Sequence, residues 1–249
     1  MTSIFIKTCP QDHVWLKYLL PSIEKYADGF KDVIIVSDAG TKIPPEYLSS
    51  IKKIPVRTHY IPVPTPTTEY PNIENGVGYL WQQYIKLNWF KLCDSDSVMV
   101  LDSDLMLCKP LTPDQLKHNG KWIWTYRSWK EAGDAQCWKQ STDFILRKNT
   151  PYEAMCVTGY VLTRTVTTNL LNYICQTHSI SNLWELVTKK RMSKFSEYNM
   201  YGSFINDVND PDYYYNIRQD IPMHNCIITH WSWGGVTPEI HKNAMVHLS

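Results

Sequence analysis

Two Asp-Ser-Asp triplets have the residue types and spacing best suited to binding a metal ion. The triplet at residues 94–96 precedes an apolar run, where short polar residues usually form a turn. The triplet Asp102-Ser103-Asp104 instead follows the apolar run 98–101 directly. If that run is a strand of an open α/β sheet, the second triplet lies beyond the carboxyl end of the strand, where such sheets bind ligands. We therefore assign the chemistry to the second triplet and a structural turn to the first.

Asp102 and Asp104 are one residue apart at the end of the same predicted strand. Two carboxylates so close together repel each other unless a cation lies between them, and oxygen ligands suit a hard divalent ion such as Mn²⁺ or Mg²⁺. Such an ion would bind the diphosphate of a donor and stabilise the charge that develops as the diphosphate leaves. The alternative is an aspartate-capped turn between strand and loop, and the short Asp-x-Asp pattern alone does not decide between them.

The elements that must position this triplet form a repeating pattern in the first quarter of the chain. Apolar runs predict strands, and residues with helical spacing lie between them. This β-α-β-α-β order with apolar strands predicts an α/β fold, a Rossmann-like, mostly parallel sheet flanked by helices. Asp12 is the expected N-cap of the first helix, and Pro21 is expected to kink or break it. The strands are predicted at 3–8, 32–37, 56–61 and 98–101, and the helices at 11–26 and 44–51.

The rest of the chain gives further predictions. Residues 62–78 are rich in Pro, Thr, Asn and Gly, which indicates a long surface loop, and a helix at 79–92 follows it. Residues 207–215 are rich in turn-forming types, and the tail 226–249 contains a short strand. The remaining strands are predicted at 121–126 and 155–163, and the remaining helices at 167–176 and 182–191.

Composition limits the class of protein. The 249 residues can close one sizeable core, so we expect a single domain, 1–249. A net charge of +1 gives no overall attraction to nucleic acid or to an anionic membrane. The first residues lack the pattern of a signal peptide, and no apolar run is long enough to cross a bilayer. Seven scattered cysteines without a Cys-x-x-Cys pair are typical of reduced thiols, so we expect a cytoplasmic protein without membrane insertion.

Three segments together resemble a known family, the GT-A glycosyltransferases. The run Val-Met-Val-Leu-Asp-Ser-Asp-Leu-Met-Leu-Cys-Lys-Pro at 98–110 is similar to the sequence around their metal site. Segments 78–87 and 196–202 resemble a bacterial and phage subgroup of these sugar transferases, and the resemblance spans residues 3–235. It implies a GT-A fold in which 1–110 binds a nucleotide-sugar, most typically a UDP-sugar, and a C-terminal region, 111–249, binds the acceptor. A phage-encoded member would act in the host cytoplasm.

The resemblance also implies roles at the metal site. Asp102 would meet the donor ribose or the metal ion, with Ser103 beside it at the donor, and Asp104 would bind the metal directly. Family members often supply a late histidine as a further ligand, and the best match is His230, with His224 as second choice. For either histidine, the alternative is a hydrogen-bonded structural side chain.

Four more residues are candidate donor ligands. Gln82 and Lys86 have i, i+4 spacing and share one face of the predicted helix, so Lys86 could neutralise a donor phosphate while Gln82 binds the sugar or the diphosphate. The alternative for both is a solvated helix face. Thr8 and Asp38 end the first two strands, where GT-A proteins hold the nucleoside, although both types are also common in turns.

Glu197 is the candidate catalytic base. If the reaction inverts the anomeric centre, a carboxylate must accept the proton of the attacking acceptor hydroxyl. The alternative is a first-turn glutamate that follows the N-cap Ser196 and is favoured there by the helix dipole. Asp143 and Asp134 are fallback bases on the segment 129–144, which we expect to be a loop that folds over the donor.

The acceptor remains open between two classes. Basic residues alternate with aromatic ones at 121–130, and Lys189, Lys190, Arg191 and Lys194 form a second basic cluster. Such mixtures can follow a phosphate backbone and stack on a flipped base, whereas a solvated positive face is the alternative. We therefore expect either a hydroxymethylated pyrimidine in phage DNA or a glycan as the acceptor.

Two other functions belong to different classes. A nucleotidyltransferase acting on sugar phosphates also needs acidic residues and Mg²⁺, but it normally carries a glycine-rich loop after its first strand. Here residues 8–12 read Thr-Cys-Pro-Gln-Asp, without glycine, which favours sugar transfer. A non-catalytic carbohydrate-binding protein could use the many aromatic residues, but it does not need paired carboxylates.

Overall fold

The structure, a computed structural model, describes residues 1–64, 77–190, 192–217, 225–230 and 235–248. Strands and α-helices alternate through its first half. The strands are β1 (Thr2–Thr8), β2 (Val33–Asp38), β3 (Val56–Ile61), β4 (Ser97–Asp102), β5 (Leu105–Leu107), β6 (Lys117–His118), β7 (Lys121–Ser128), β8 (Tyr152–Glu153), β9 (Val161–Thr163), β10 (Tyr213–Ile217) and β11 (Ile227–Thr229). The α-helices are α1 (His13–Tyr26), α2 (Pro45–Leu48), α3 (Val77–Leu87), α4 (Lys139–Leu146), α5 (Arg164–His178), α6 (Leu183–Lys189), α7 (Glu197–Val208) and α8 (Pro238–Leu248).

A five-stranded sheet with the order β3-β2-β1-β4-β9 forms the centre of the fold. Strands β1 to β4 pair in parallel, and only β9 is antiparallel to its neighbour β4. Lys7 of β1 lies opposite Asp102 of β4, and Thr8 lies opposite Ser37 of β2. The ends of β1, β2 and β4 therefore meet at one edge, which we call the carboxyl edge. The predicted α/β class and the mostly parallel sheet are confirmed.

Alternation along the strands gives the sheet two apolar faces, as expected for a sheet covered on both sides. Ile4 and Ile6 pack with α1 on one face. Phe5, Val98 and Val100 point to the other face, where they pack with α3, α5, α6 and α7. Each such side chain is fully buried, and burying one of this size contributes about 1.5–3 kcal/mol. The two cores fix the sheet, and so fix the carboxyl edge.

Two smaller sheets complete the architecture. Strands β10, β7 and β6 form one, in which β10 runs parallel to β7, and β8 also pairs with β7. Strands β5 and β11 form an antiparallel pair, which joins the end of the chain to the segment that follows Asp104. All seven cysteines, every one in a described segment, are free thiols. None of the helices in the described part of the chain is long and apolar enough to cross a bilayer.

The first helix differs from its prediction at two positions. Pro21 lies inside α1 without ending it, because the buried face of the helix packs on the sheet and outweighs the cost of about 3 kcal/mol that proline brings. Asp12 precedes the helix, but its side chain makes no capping hydrogen bond. A short 3₁₀ turn over Pro10–Asp12 runs directly into α1, and the carboxylate of Asp12 accepts from the Cys9 thiol instead.

The strand predicted at 155–163 is wrong over most of its length, since only Val161–Thr163 pairs. At the start of this segment a side chain takes a backbone N–H group that a strand ladder would need, since Oε1 of Glu153 accepts from the N–H of Met155. The segment 207–215, predicted as turns, includes the start of β10.

The boundaries of the helices in the structure also differ from the predicted ones. The helix predicted at 79–92 ends at Leu87, and a separate 3₁₀ turn covers Trp89–Lys91. The segment 129–144, predicted as a loop, is helical through two 3₁₀ turns and the start of α4. Helix α8 was not predicted. The loop predicted at 62–78 lies mostly outside the described residues.

We predict that Gly202→Ala destabilises the fold. A Cβ atom at Gly202 would lie 2.3 Å from Nε1 of Trp124 and 2.5 Å from Cβ of Ala154, inside the core. Over-packing of this kind lowers the free energy of unfolding by about 1–3 kcal/mol. Urea denaturation measures the change. The control is Gly78→Ala in α3, where nothing lies within 4 Å of the new Cβ and helix propensity adds up to about 1 kcal/mol of stability. Equal stabilities of the two variants would contradict the prediction.

Candidate functional site

The carboxyl edge of the central sheet collects polar side chains from three neighbouring strands. Thr8 ends β1, Asp38 ends β2 and Asp102 ends β4. Asp38 and Thr8 are buried, and Asp102 is half-buried. Their common position follows from the parallel register, as predicted, and it is the position at which open α/β sheets bind ligands.

Helix α3 brings two side chains to Asp102. Nζ of Lys86 lies 2.6 Å from Oδ1 of Asp102, and Nε2 of Gln82 donates to the same oxygen at 3.0 Å. The prediction that Gln82 and Lys86 share one helix face is confirmed. The alternative of a solvated face is wrong for Lys86, which is 2% exposed.

Helix α7 brings the second carboxylate. Nζ of Lys86 donates to Oε1 of Glu197 at 2.8 Å, so one ammonium group bridges Asp102 and Glu197. Ser196 caps α7 by accepting from the N–H of Asn199 at 3.2 Å, as the sequence indicated, and this places Glu197 in the first turn. Glu197 is 1% exposed, so its carboxylate faces the interior of the site.

The bridge sets the electrostatics of the site. Burial opposes the charged form of Lys86, but the charges of Asp102 and Glu197 outweigh it and raise the pKa of Lys86 well above its usual value. Burial raises the pKa of Glu197, and the charge of Lys86 only partly opposes the change. Glu197 is therefore a stronger proton acceptor than an exposed glutamate.

Lys7 is a site residue that the sequence analysis missed. Its Nζ donates to Oδ1 of Asp38 at 2.6 Å and to the carbonyl of Thr8 at 2.6 Å, with the side chain 2% exposed. Burial lowers the pKa of Lys7 despite the opposing effect of Asp38, and Lys86 adds to the lowering. A lysine inside an apolar strand pattern was the available signal, because a charge in such a strand needs a buried partner.

Asp104 and His230 form a second group of candidate ligands. Asp104 follows Asp102 by two residues in the chain. The backbone N–H of His230 donates to the carbonyl of Asp104 at 2.8 Å, so the two residues are neighbours across the continuation of β5 and β11. The ring of His230 stacks on Trp15 with 5.9 Å between centroids. Its Nε2 is buried and has no hydrogen-bond partner among the described residues. Burial lowers the pKa of His230, which favours the neutral form that binds metal ions.

The predicted metal ligands fit a divalent cation in donor type. Asp104 and Nε2 of His230 supply oxygen and nitrogen, and Oδ2 of Asp102 has no partner among the described residues, whereas Oδ1 faces α3. In the described part of the chain, however, no three histidine, cysteine or carboxylate side chains lie close enough together to hold a metal ion. Ser103, between the two aspartates, is buried. His224 lies outside the described residues.

The fallback bases do not lie in this cluster. Oδ1 of Asp143 accepts from the backbone N–H of Thr150 at 2.8 Å and from its hydroxyl at 2.6 Å, and Oδ2 accepts from Lys139 at 2.5 Å. Burial raises the pKa of Asp143, but these hydrogen bonds outweigh it and lower the pKa overall, so the carboxylate is a poor base. Asp134 is exposed on a 3₁₀ turn.

Several residues of the other candidate segments make structural contacts. Asp94 pairs with Lys31 and Arg57 on the surface, which confirms a structural role for the first triplet. Trp124 and Tyr126 of β7 are buried in the core, so they cannot stack on a nucleic-acid base. In the second basic cluster Lys189 pairs with Glu185, and residue 191 lies outside the described residues.

Comparison with known proteins supplies a fold relationship. The profile of a family of unknown function, DUF6492, matches residues 10–233. No curated protein matches the sequence. Among solved structures, a galactosyltransferase, LgtC, in complex with donor and acceptor sugar analogues is similar with a TM-score of 0.53 at 12% identity, over 86% of this chain and 73% of that chain. An active-site mutant of LgtC gives a TM-score of 0.52 at 13% identity, over 86% and 72%. At such identity the similarity shows the fold alone, and that fold is the predicted GT-A fold.

We predict that His13→Gln weakens the loss of stability in mild acid. His13 lies at the start of α1 beside the site, 5% exposed, with Nε2 2.8 Å from Oγ of Ser37. Burial lowers its pKa below 6.5 in the folded protein, so the unfolded chain binds the proton first and stability falls as the pH falls through that value. Urea midpoints between about pH 5 and 7.5 measure the slope.

The control for that measurement is His118→Gln, which changes an exposed histidine. The slope should decrease in the His13 variant without vanishing, because burial also lowers the pKa of His230. An unchanged slope in His13→Gln would show that His13 binds its proton equally well in the folded and unfolded states.

Proposed function

Because the chain belongs to DUF6492, a family of unknown function, its activity has to be derived from its own site, and we propose that it is a glycosyltransferase. It moves a sugar from a nucleotide-sugar to a hydroxyl group of an acceptor. The observation that carries this proposal is the bridge Asp102–Lys86–Glu197 at the carboxyl edge of a GT-A sheet. It joins a donor-side carboxylate to a buried, basic carboxylate that can take up a proton.

The donor lies along the carboxyl edge in this proposal. Thr8 and Asp38 contact the nucleoside, with Lys7 holding Asp38 in place. Asp102, Ser103 and Gln82 contact the ribose, diphosphate or sugar. UDP-sugars are the donors to test first. Residues 1–110 then form the donor half, and residues 111–249, which include Glu197, form the acceptor half.

Glu197 acts as the base if the reaction inverts the anomeric centre. The acceptor hydroxyl oxygen forms a bond to the anomeric carbon while the bond from that carbon to the diphosphate oxygen breaks. The hydroxyl proton passes to the carboxylate of Glu197, whose pKa is raised by burial. The electron pair of the broken bond leaves with the nucleoside diphosphate.

We assign the metal ligands to Asp102, Asp104 and His230, and the ion to Mn²⁺ or Mg²⁺. The support is the donor chemistry of these side chains and the buried Nε2 of His230, which has no partner among the described residues. When bound, a divalent cation supplies positive charge to the leaving diphosphate. Since no three histidine, cysteine or carboxylate side chains in the described residues lie close enough together to hold an ion, binding would require Asp102, Asp104 and His230 to move closer to one another.

The acceptor is either a glycan or a hydroxymethylated pyrimidine in DNA. A direct experiment supplies the protein with Mn²⁺ and a panel of UDP-sugars, and measures free UDP, transfer to each acceptor class and inorganic pyrophosphate. Transfer with UDP release supports the proposal, and the labelled acceptor identifies its class. Formation of pyrophosphate from a nucleoside triphosphate and a sugar phosphate would indicate a nucleotidyltransferase. Sugar binding without turnover would indicate a carbohydrate-binding protein.

We predict that Asp104→Ala abolishes sugar transfer while the protein stays folded. Asp104 is half-buried in the turn between β4 and β5, and its proposed part is to bind the metal ion with its carboxylate. The measurement is the rate of UDP release with Mn²⁺, together with a circular dichroism spectrum. The matched control is Asp96→Ala in the other Asp-Ser-Asp triplet, whose carboxylate is exposed and pairs with the N-terminal amine. Wild-type turnover in Asp104→Ala would remove the metal assignment.

We predict that Glu197→Gln lowers kcat by about 10²–10⁴-fold, the usual contribution of a positioned base. The amide keeps the size of the side chain and can still accept from Lys86, so the fold should be retained. Transfer rates at saturating donor and acceptor measure the effect. The control is Glu46→Gln on the exposed helix α2. A loss below about tenfold would move the base elsewhere or indicate a retaining reaction.

A further inference from the structure

Lys86 is enclosed by the groups it contacts. Its Nζ lies 2.6 Å from Oδ1 of Asp102 and 2.8 Å from Oε1 of Glu197, and the ring centroid of Tyr198 lies 5.2 Å away. The side chain is 2% exposed. An ammonium group has three N–H donors. Here two carboxylates and the face of one ring surround the ammonium group. This geometry does not suit a lysine that reaches out to a donor phosphate.

The two carboxylates belong to different parts of the fold. Asp102 ends a strand of the central sheet, whereas Glu197 begins a helix that packs on that sheet. The helix α3 that carries Lys86 packs between them, against both β1 and α7. The ammonium is therefore a direct contact between the donor side and the acceptor side of the site.

Gln82 supports the same arrangement from one turn earlier on α3. Its amide donates to Oδ1 of Asp102 at 3.0 Å, which is the oxygen that Lys86 also contacts. Two donors on one oxygen fix the orientation of the carboxyl group. The other oxygen, Oδ2, makes no hydrogen bond or ion pair with the described residues, which leaves it available to a ligand.

We propose that Lys86 is a positioning residue that holds Asp102 and Glu197 at a fixed separation and orientation, and that it does not contact the phosphates of the donor. The inference rests on the proposed glycosyl transfer and replaces the role in phosphate binding that the sequence suggested for Lys86. Transfer requires the donor sugar, held through Asp102, and the acceptor hydroxyl, held at Glu197, to meet in one geometry. A misplacement of about 1 Å can cost about 10²-fold in rate.

The test is a double-mutant cycle with Lys86→Met, Glu197→Gln and the double variant that carries both substitutions, which we call the pair. Lys86→Met alone leaves the buried Glu197 and the half-buried Asp102 without their cation, which can prevent folding. The pair removes one positive and one negative charge together, so we expect it to fold. Lys91→Met, in an exposed lysine of the following 3₁₀ turn, is the matched control.

Unfolding tests the contact without any assay of activity. If Lys86 couples the two carboxylates, the loss in urea midpoint of the pair is smaller than the sum of the losses of the single variants. A loss equal to that sum would overturn the proposal that Lys86 couples the two carboxylates. Should Lys86→Met not fold, a pair that is as stable as Glu197→Gln supports the bridge, and a pair that does not fold overturns it.

Kinetics tests the positioning role. We expect Lys86→Met to lower kcat about 10²-fold, the pair to lose less than the product of the two single losses, and the donor KM of the pair to stay within about threefold of that of Glu197→Gln. Multiplied losses, or a donor KM raised tenfold or more in the pair, would overturn the proposal in favour of a phosphate contact. If the wild-type protein transfers no sugar, the proposed function fails, and the unfolding measurement alone decides whether the bridge exists.

Discussion

A buried ammonium must be matched by carboxylates, and Lys86 imposes this constraint on the whole candidate site. Removing an ion from water costs several kcal/mol even after relaxation, and only close, well-oriented partners offset that cost. Asp102 and Glu197 supply them at 2.6 and 2.8 Å. The end of β4, the inner face of α3 and the first turn of α7 therefore have to meet at one point. The proposed chemistry and the stability of the site therefore depend on the same three side chains.

The carboxyl edge carries a second buried pair, Lys7 with Asp38, and the two pairs are not independent. The charge of Lys86 contributes to the lowered pKa of Lys7, so the two ammonium groups lie within electrostatic range of each other. Each lysine has a carboxylate within hydrogen-bond distance, which favours its charged form. A protein selected for stability alone would place apolar side chains there, since well-packed apolar groups are often as stable as a buried ion pair. The proposed donor site at this edge would give the two buried lysines a role other than stability.

Most of the central fold could be predicted from the sequence, because apolar runs at residues 3–8 and 32–37 leave little choice but a sheet covered on both faces. The helical spacing of Gln82 and Lys86 also predicted their common face. Two features could not be predicted in this way. The burial of Lys86 depends on Glu197, which is 111 residues further along the chain. The backbone N–H group of Met155 binds a side chain, and no local pattern distinguishes it from the N–H groups of a strand.

The candidate site, rather than the similarity to LgtC, carries the functional argument. A fold shared at 12–13% identity is compatible with many activities, because function depends on the side chains at the site. The parallel register would bring three strand ends together in any protein of this fold. Only the residue types there select the chemistry. The carboxylate of Asp102 is oriented by the N–H groups of Gln82 and Lys86, and burial raises the pKa of Glu197. A nucleotide-binding edge without a base would need Asp102 but not Glu197. The bridge through Lys86 makes the two carboxylates one unit, as the proposed transfer between two bound substrates would require.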